Sequence, residues 1–275
     1  MPLRHRQAFR FLVINIVLLL ATVNICLSVE TTSLYSNSMK ALEGRYASVD
    51  QNRWSIVFVG DNRGNDKKFV EILQRAKDIN PLFILHGGDI SERGNGQELS
   101  HFLDVVKSIK GLPPLFVVRG NHEGNLSLFE KMIGPLNFAI DSPKLGLRLV
   151  AVDNSNYLLK KEELSFLSTN LDKKRQHQFV SMHIPPKTDR WPRHSFEKGS
   201  NELFQLMYDR KVEMGLFAHI HLFDADIIND IPCIISGGAG ASLTWFGYSG
   251  DADYHLVIIE VVKDKVTYRV EKIDY

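Results

Sequence analysis

Cysteine is nearly absent from this chain of 275 residues, which contains two, Cys26 and Cys233. Cys26 lies within an apolar segment near the N-terminus, so the rest of the chain has one cysteine. This excludes a disulfide framework and any metal site built on a Cys-x-x-Cys pair. It leaves the cellular compartment open, because exported proteins also occur without disulfides.

A charge excess of either sign is absent too: 33 Lys and Arg stand against 32 Asp and Glu, and the net charge is +1. No basic excess indicates nucleic-acid binding. The chain is 44% hydrophobic and 24% charged, which is ordinary globular usage and excludes a disordered or collagen-like chain. The GxSxG motif of serine hydrolases and the HExxH motif of zincins are also missing.

The N-terminal 28 residues carry basic charge and no acid. Arg4, Arg6 and Arg10 precede a 17-residue apolar run at residues 11–27. This is the pattern of an export signal, and the run is also long enough for an uncleaved membrane anchor, which needs about 17 to 25 residues. Both alternatives stay open, beside a buried core helix. Either targeting alternative predicts an exported protein, periplasmic or extracellular, or one attached to a membrane through residues 11–27 and facing outside the cytoplasm.

The rest of the chain divides into a polar segment and one predicted domain. Residues 29–52 are polar with weak periodicity and are predicted to be a linker. Over residues 53–275, apolar runs typical of strands alternate with amphipathic helical patterns at 66–78, 98–109, 161–170 and 201–210. The alternation predicts an α/β domain, and the strand-rich end from residue 233 predicts a second sheet packed on the first.

Ligand-type side chains directly follow five of the predicted strands. The segments are GDNRG at 60–64, GGDISERG at 87–94, GNHEG at 120–124, MHIPP at 182–186 and AHIH at 218–221. Each is a weak signal alone, because Gly-Asp and Asn-His pairs are common in turns and caps. Together they indicate a single site, because α/β folds place their sites at the carboxyl ends of strands.

The order of these segments resembles the pattern of the calcineurin-like metallophosphoesterase family, and the resemblance runs from Asp61 to His221. It implies two packed mixed β-sheets flanked by helices in four layers, with a two-metal site at the strand ends. It further implies hydrolysis of a phosphomonoester or phosphodiester through a metal-activated water. The implied partner is then a phosphorylated small molecule or another phosphoester substrate.

The resemblance also implies roles for individual residues. The ligands of the first ion would be Asp61, Asp89 and His221, and those of the second Asp89, Asn121, His183 and His219, with Asp89 shared. Such carboxylate and imidazole ligands suit Mn, Fe, Zn or Ni without selecting one of them. His122 matches the family's catalytic histidine, which binds no metal and lies beside the substrate with Asn121. An imidazole in this place can act as a proton donor to the leaving oxygen or as a hydrogen-bond donor to phosphate.

The chain departs from the family pattern at Arg63, where the family has a ligand histidine. A guanidinium has no free lone pair for a metal, but its planar donors suit phosphate oxygens. Arg63 is therefore predicted either to weaken the first metal site or to bind substrate phosphate. The alternative function that follows is a catalytically weakened module that binds metal or phosphate.

Three further features lie near the predicted site. Arg93 is predicted to contact phosphate, with an ion pair to Glu92 or Glu98 as the alternative. The basic and aromatic loop at 187–198 would form a substrate-selecting rim or remain a solvated loop. The glycine-rich segment at 237–241 is predicted to be a tight loop near the site, with aromatic residues at 245, 246 and 248 lining it.

Overall fold

The computed structural model describes residues 32–244 and 246–274. The predicted signal peptide or anchor at residues 1–28 lies outside the described residues, as does Trp245. Within the part of the chain that the structure describes, no helix is both long and apolar enough to cross a membrane.

Two mixed sheets form the centre of the fold. The first has five strands, β1 (Arg53–Val59), β2 (Phe83–His86), β3 (Leu115–Val117), β10 (His255–Val262) and β11 (Lys265–Lys272), in the order β11-β10-β1-β2-β3. β1, β2 and β3 are parallel, and β10 is antiparallel to both of its neighbours. All the described residues of β2 and β3 are buried, which matches their continuous apolar sequence.

The second sheet has six strands, in the order β4-β5-β6-β7-β9-β8. They are β4 (Phe138–Ser142), β5 (Leu147–Ala151), β6 (His177–Ser181), β7 (Met214–Phe217), β8 (Phe223–Ile228) and β9 (Ile231–Ser236). The four inner strands are parallel, and the edge strands β4 and β8 are antiparallel to their neighbours.

Six helices accompany the sheets among the described residues. They are α1 (Leu34–Tyr46), α2 (Asp66–Ile79), α3 (Gly96–Ser108), α4 (Leu126–Met132), α5 (Lys161–Asn170) and α6 (Ser200–Asp209), and a short 3₁₀ turn covers Pro143–Leu145. The side chains of Asn65 and Asn95 cap α2 and α3. Because asparagine caps satisfy the free N–H groups of a first turn, each helix starts sharply after its strand-end loop.

The core has three apolar layers that together confirm the predicted architecture. Phe58 and Phe116 of the first sheet meet Phe179 and Leu216 of the second in one buried cluster between the sheets. A second cluster joins the outer face of the first sheet to α2, α3 and α4, and a third joins the outer face of the second sheet to α5 and α6. The fold is thus α/β, with two mixed sheets flanked by helices.

The strand-rich C-terminal part of the chain does not form a sheet of its own, so that prediction is wrong. β9 joins the second sheet, whereas β10 and β11 return to the first. The reason is the pairing of β10 along nearly the whole of β1, from Arg53 opposite Val262 to Phe58 opposite Val257. This pairing buries one edge of β1 that would otherwise be exposed.

The predicted linker is also wrong over most of its length, because it contains α1. Leu42 is fully buried in the cluster between the sheets. The Ser38 hydroxyl donates to the Leu115 carbonyl (2.7 Å) and accepts from the Leu115 N–H (3.2 Å), which covers the β3 edge. Ser38 and Leu42 are the only buried residues of this helix, and its sequence shows almost no amphipathic pattern.

We predict that Leu42→Ala lowers the free energy of unfolding by about 2 to 5 kcal/mol, the usual cost of a buried leucine truncation. Denaturant unfolding measures it, with Lys40→Ala on the exposed face of the same helix as control. If both variants unfolded like the unmodified protein, α1 would not be part of the domain core.

Candidate metal centre

Loops that follow the carboxyl ends of strands in both sheets meet at one edge of the fold. Asp61 and Arg63 follow β1, Asp89 follows β2, and His219 and His221 follow β7. The backbone is left-handed at four of these residues, with φ of 62° at Asp61, 41° at Arg63, 56° at Asp89 and 70° at His219. A non-glycine residue in this region is uncommon, and such conformations cluster at functional sites.

The first group of ligand atoms centres on His183, which follows β6. Its Nε2 lies 3.0 Å from Asn121 Oδ1, 3.1 Å from His219 Nδ1 and 3.4 Å from Asp89 Oδ1. Its Nδ1 donates to the Gly87 carbonyl (2.8 Å), so Nε2 presents a lone pair when the ring is neutral. Asp89, His183 and His219 could hold a metal ion here, since their ligand atoms all lie within 4.8 Å of one another.

The second group shares Asp89 with the first. It joins Asp61, Asp89 and His221, again within 4.8 Å. His221 Nε2 lies 3.7 Å from Asp61 Oδ1, while its Nδ1 donates to the Ser242 carbonyl (2.8 Å). Asp61 Oδ1 is buried and has no hydrogen-bond partner among the described residues. A buried carboxylate oxygen with nothing to bind is costly, and a cation would remove that cost.

The buried carboxylates and imidazoles of the site shift the pKa values of one another. Burial raises the pKa of Asp61 well above its usual value, and the neighbouring Asp89 adds to the rise. Although burial opposes it, His183 lowers the pKa of Asp89, and the two carboxylates raise the pKa of His183 to about 9 against its own burial. Burial and His183 lower the pKa of His219 to about 2. The carboxylate and imidazole donors of the two groups fit divalent or trivalent cations of the Mn, Fe, Zn or Ni type.

A buried carboxylate behind the ligands holds two of the loops together. Glu123 Oε2 accepts from the N–H groups of Asp89 and Gly120 (2.9 Å each), and Oε1 accepts from the N–H (3.2 Å) and hydroxyl (2.8 Å) of Ser91. A Cβ on Gly120 would lie 2.2 Å from Asp89 Oδ1, so only glycine permits this close approach. Burial, with the charge of Asp89, raises the pKa of Glu123 to about 7. Glu123 thus fixes the backbone that carries Asp89.

His122 lies beside the ligands without belonging to either group among the described residues. Its Nδ1 donates to the Glu92 carbonyl (2.8 Å), and its backbone N–H donates to Asp89 Oδ1 (3.0 Å). Nε2 lies 3.8 Å from Asp89 Oδ2, and the side chain is partly exposed. This places one ring nitrogen where it can exchange a proton with a molecule in the cavity.

A cavity of about 290 Å³ opens in front of the ligands. Its lining includes most of the predicted site residues and three aromatic or imidazole side chains that the motif pattern does not contain. The lining residues are Arg63, Asp89, Asn121, His122, Tyr157, His194, His219, Ile220, His221, Thr244 and Tyr248. Tyr157 follows β5 and belongs to none of the five motif segments, so the motif pattern did not indicate it.

The predicted rim is partly present. His194, from the basic and aromatic loop, has its ring centroid 5.9 Å from that of His219, and the Tyr248 hydroxyl donates to the Arg193 carbonyl (2.9 Å).

Of the aromatic residues predicted beside the glycine-rich loop, Phe246 is 90% exposed and does not line the cavity, and Trp245 lies outside the described residues. Residues 237–241 do form a tight loop, tied by hydrogen bonds from residues 239 and 241 to the carbonyls of residues 60 and 61.

The two predicted phosphate-binding arginines differ in position. Arg63 lines the cavity, and its Nη2 donates to Glu92 Oε2 (2.6 Å), which leaves the guanidinium only partly exposed. Arg93 is exposed and lines a separate open cleft with residues 94–96 and 124–128. The structure therefore brings Arg63 to the ligands and does not bring Arg93 there.

The fold and the two ligand groups define a class of protein in which two mixed sheets carry two candidate cation sites at one edge. A family model described as calcineurin-like phosphoesterase matches residues 55–223, more than half of the chain. The chain belongs to this family of metal-dependent phosphoesterases, as its motif order indicated.

Solved structures show the same fold at low sequence identity. A purple acid phosphatase from yellow lupin (Lupinus luteus) has 17% identity and a TM-score of 0.65, over 80% of this chain and 51% of that one. GAP50, the anchor in the inner membrane complex of Plasmodium, has 17% identity and a TM-score of 0.63, over 80% and 84%. A dimetal phosphatase from Danio rerio has 11% identity and a TM-score of 0.60, over 80% and 99%. The chain spans about half the length of the lupin protein. No curated protein matches the chain.

We predict that Glu123→Gln lowers the free energy of unfolding by about 1 to 6 kcal/mol. The amide nitrogen would face either the N–H of Ser91 or the N–H groups of Asp89 and Gly120, and each unsatisfied donor costs about 1 to 3 kcal/mol. Denaturant unfolding of metal-free protein measures the change, with the exposed Glu130→Gln as control. Equal stability of the two variants would mean that Glu123 does not hold the loops together.

Proposed function

We propose that this protein hydrolyses phosphomonoesters or phosphodiesters at the shared-carboxylate site. The observation that carries the proposal is the sharing of Asp89 by two ligand groups, with a histidine beside them that is not needed for either. A protein that only binds metal has no use for His122 in this position. A phosphoesterase needs such a group to donate a proton to the leaving oxygen.

The chain's own residues divide the work between binding and proton transfer. Asp61, Asp89, Asn121, His183, His219 and His221 would hold two cations. Such ions, when bound, lower the pKa of a water molecule and neutralise charge that develops on a phosphoryl group. Arg63 offers guanidinium donors to phosphate oxygens at the cavity wall. His122 keeps its Nδ1 proton on the Glu92 carbonyl, so Nε2 can deliver a proton to the departing alcohol only when the ring is the imidazolium, and the ring becomes neutral as the alcohol leaves.

Arg63 supports a second candidate function, a metal- or phosphate-binding module with little or no turnover. Burial lowers the pKa of His221, and the positive charge of Arg63 lowers it further. The same charge disfavours a cation next to His221. The fold alone does not decide between the two functions, since one similar structure is a phosphatase and another is described as an anchor. We favour the enzyme because His122 is retained and oriented.

We also propose that the domain acts outside the cytoplasm. The support is the basic start and the apolar run at residues 11–27, which are typical of a signal peptide or an anchor. Either form would leave residues 32–274 free to act on extracytoplasmic phosphoesters.

Hydrolysis should depend on bound transition metal and on His122. We predict that His122→Ala lowers turnover by about 10² to 10⁴, the usual contribution of a general acid, with metal content unchanged. A panel of phosphomonoesters and phosphodiesters, assayed with Mn²⁺, Zn²⁺, Fe²⁺, Ni²⁺ and Mg²⁺, measures turnover, and elemental analysis measures metal. Full activity after chelation would contradict the proposed function. Loss of metal in His122→Ala would show that His122 is itself a ligand.

The metal content should report on Arg63. We predict that the unmodified protein purifies with nearer one ion than two, because the guanidinium repels the ion at Asp61 and His221. Arg63→His removes that repulsion and adds a neutral ligand, so occupancy should rise towards two. Arg93→His, in the separate cleft, is the matched control and should change nothing. Two tightly held ions in the unmodified protein, unaffected by Arg63→His, would contradict this role of Arg63.

A further inference from the structure

The loop after β5 brings a tyrosine into contact with one of the ligand histidines. Tyr157 lines the cavity, and its hydroxyl oxygen lies 2.8 Å from His219 Nε2. The two rings meet edge to face, with centroids 5.3 Å apart. The backbone of Tyr157 is left-handed, with φ of 60°, so the contact is made at a residue with an uncommon conformation.

This loop is tied to a second ligand as well. Asn154 donates through Nδ2 to the Ile184 carbonyl (2.7 Å) and accepts at Oδ1 from the Ile184 N–H (3.0 Å). The Tyr157 N–H donates to the Asn154 carbonyl (2.9 Å), which closes the turn. Because Ile184 directly follows His183, the loop holds the tyrosine in a fixed relation to both histidines of the first ligand group.

The ring nitrogens of His219 have different tasks. A neutral imidazole carries one N–H and one lone pair. Nδ1 lies 3.1 Å from His183 Nε2, in the group of atoms that could hold an ion. For Nδ1 to offer its lone pair there, the proton must be on Nε2. That N–H belongs to a partly buried residue, and the Tyr157 oxygen lies in hydrogen-bonding distance as its acceptor.

We propose that Tyr157 is a positioning residue that keeps the His219 proton on Nε2, and so turns the Nδ1 lone pair towards the cation site. This rests on the proposed function, because it assumes that the site holds an ion. His183 and His221 have their Nδ1 bonded to backbone carbonyls, of Gly87 and Ser242. A side-chain oxygen takes this place at His219, so a single substitution can remove it.

The geometry separates this role from a contact with substrate alone. A tyrosine that touched only substrate would change KM and leave metal binding unaltered. An acceptor on the far nitrogen of a ligand histidine changes metal affinity, by about 10- to 100-fold in typical cases, with no substrate present. Tyr248 provides the matched control, since it lines the same cavity and its hydroxyl donates to the Arg193 carbonyl instead of a ligand.

The test is the affinity of metal-free, full-length protein for Zn²⁺ and Mn²⁺, measured by competition with a chromophoric chelator in the absence of substrate. Tyr157→Phe should weaken binding of one ion about 10- to 100-fold, and Tyr248→Phe should leave it unchanged. Unfolding of the metal-free variants shows whether the Tyr157→Phe domain is intact. In the zinc-loaded protein, ¹⁵N NMR of the His219 ring should show a slowly exchanging Nε2 proton that exchanges faster in Tyr157→Phe.

Equal metal affinities for Tyr157→Phe and the unmodified protein, within about twofold, would overturn the positioning role and leave the proposed function standing. An equal loss in both tyrosine variants would also overturn it, because the effect would then belong to the cavity wall in general. A protein that bound no ion in any form would contradict the proposed function together with the role of Tyr157.

Discussion

Two buried carboxylates that share one small space are the constraint on which the rest of the site depends. Asp61 and Asp89 belong to one ligand group, and Asp61 Oδ1 has no hydrogen-bond partner among the described residues. Like charges in such surroundings cannot both remain ionised unless positive charge is supplied. In the metal-free protein His183 supplies part of it, which is why its pKa rises to about 9 against the effect of its own burial. Cations would supply the rest.

The scaffold keeps these groups together by fixing the backbone that carries them. Glu123 ties the loop of Asp89 to the loop after β3, and Gly120 allows the two to approach. Backbone carbonyls orient His183 and His221. The sheets thus set where each loop begins, and hydrogen bonds behind the ligands set where each lone pair points.

Much of this could be predicted from the sequence, because ligand residues follow strands whose continuous apolar runs are easy to identify. Asp61, Asp89, His219 and His221 converge as their motif order indicated. The loop after β5 could not be predicted, since Tyr157 belongs to no motif and reaches the site through a turn held by Asn154.

Elements of weak pattern were missed for a related reason. Ser38 and Leu42 are the only buried residues of α1, and the one buried residue of the edge strand β8 is the charged Asp224, so neither element has a run of buried apolar residues. The sheet to which β10 belongs depends on its partner β1, two hundred residues away in the chain, and pairing at that distance leaves no local signal. Arg93 shows the opposite error. The motif resemblance placed its side chain at the site, but the side chain lines another cleft.

The most direct test is a metal titration of chelator-treated protein, followed by calorimetry, for the unmodified chain and for Asp89→Asn. Asp89 is common to both ligand groups, whereas Asp61 and His183 each belong to one. If a shared carboxylate holds the site together, Asp89→Asn should abolish high-affinity binding of every ion. An Asp89→Asn protein that bound metal with the stoichiometry and affinity of the unmodified chain would contradict the account.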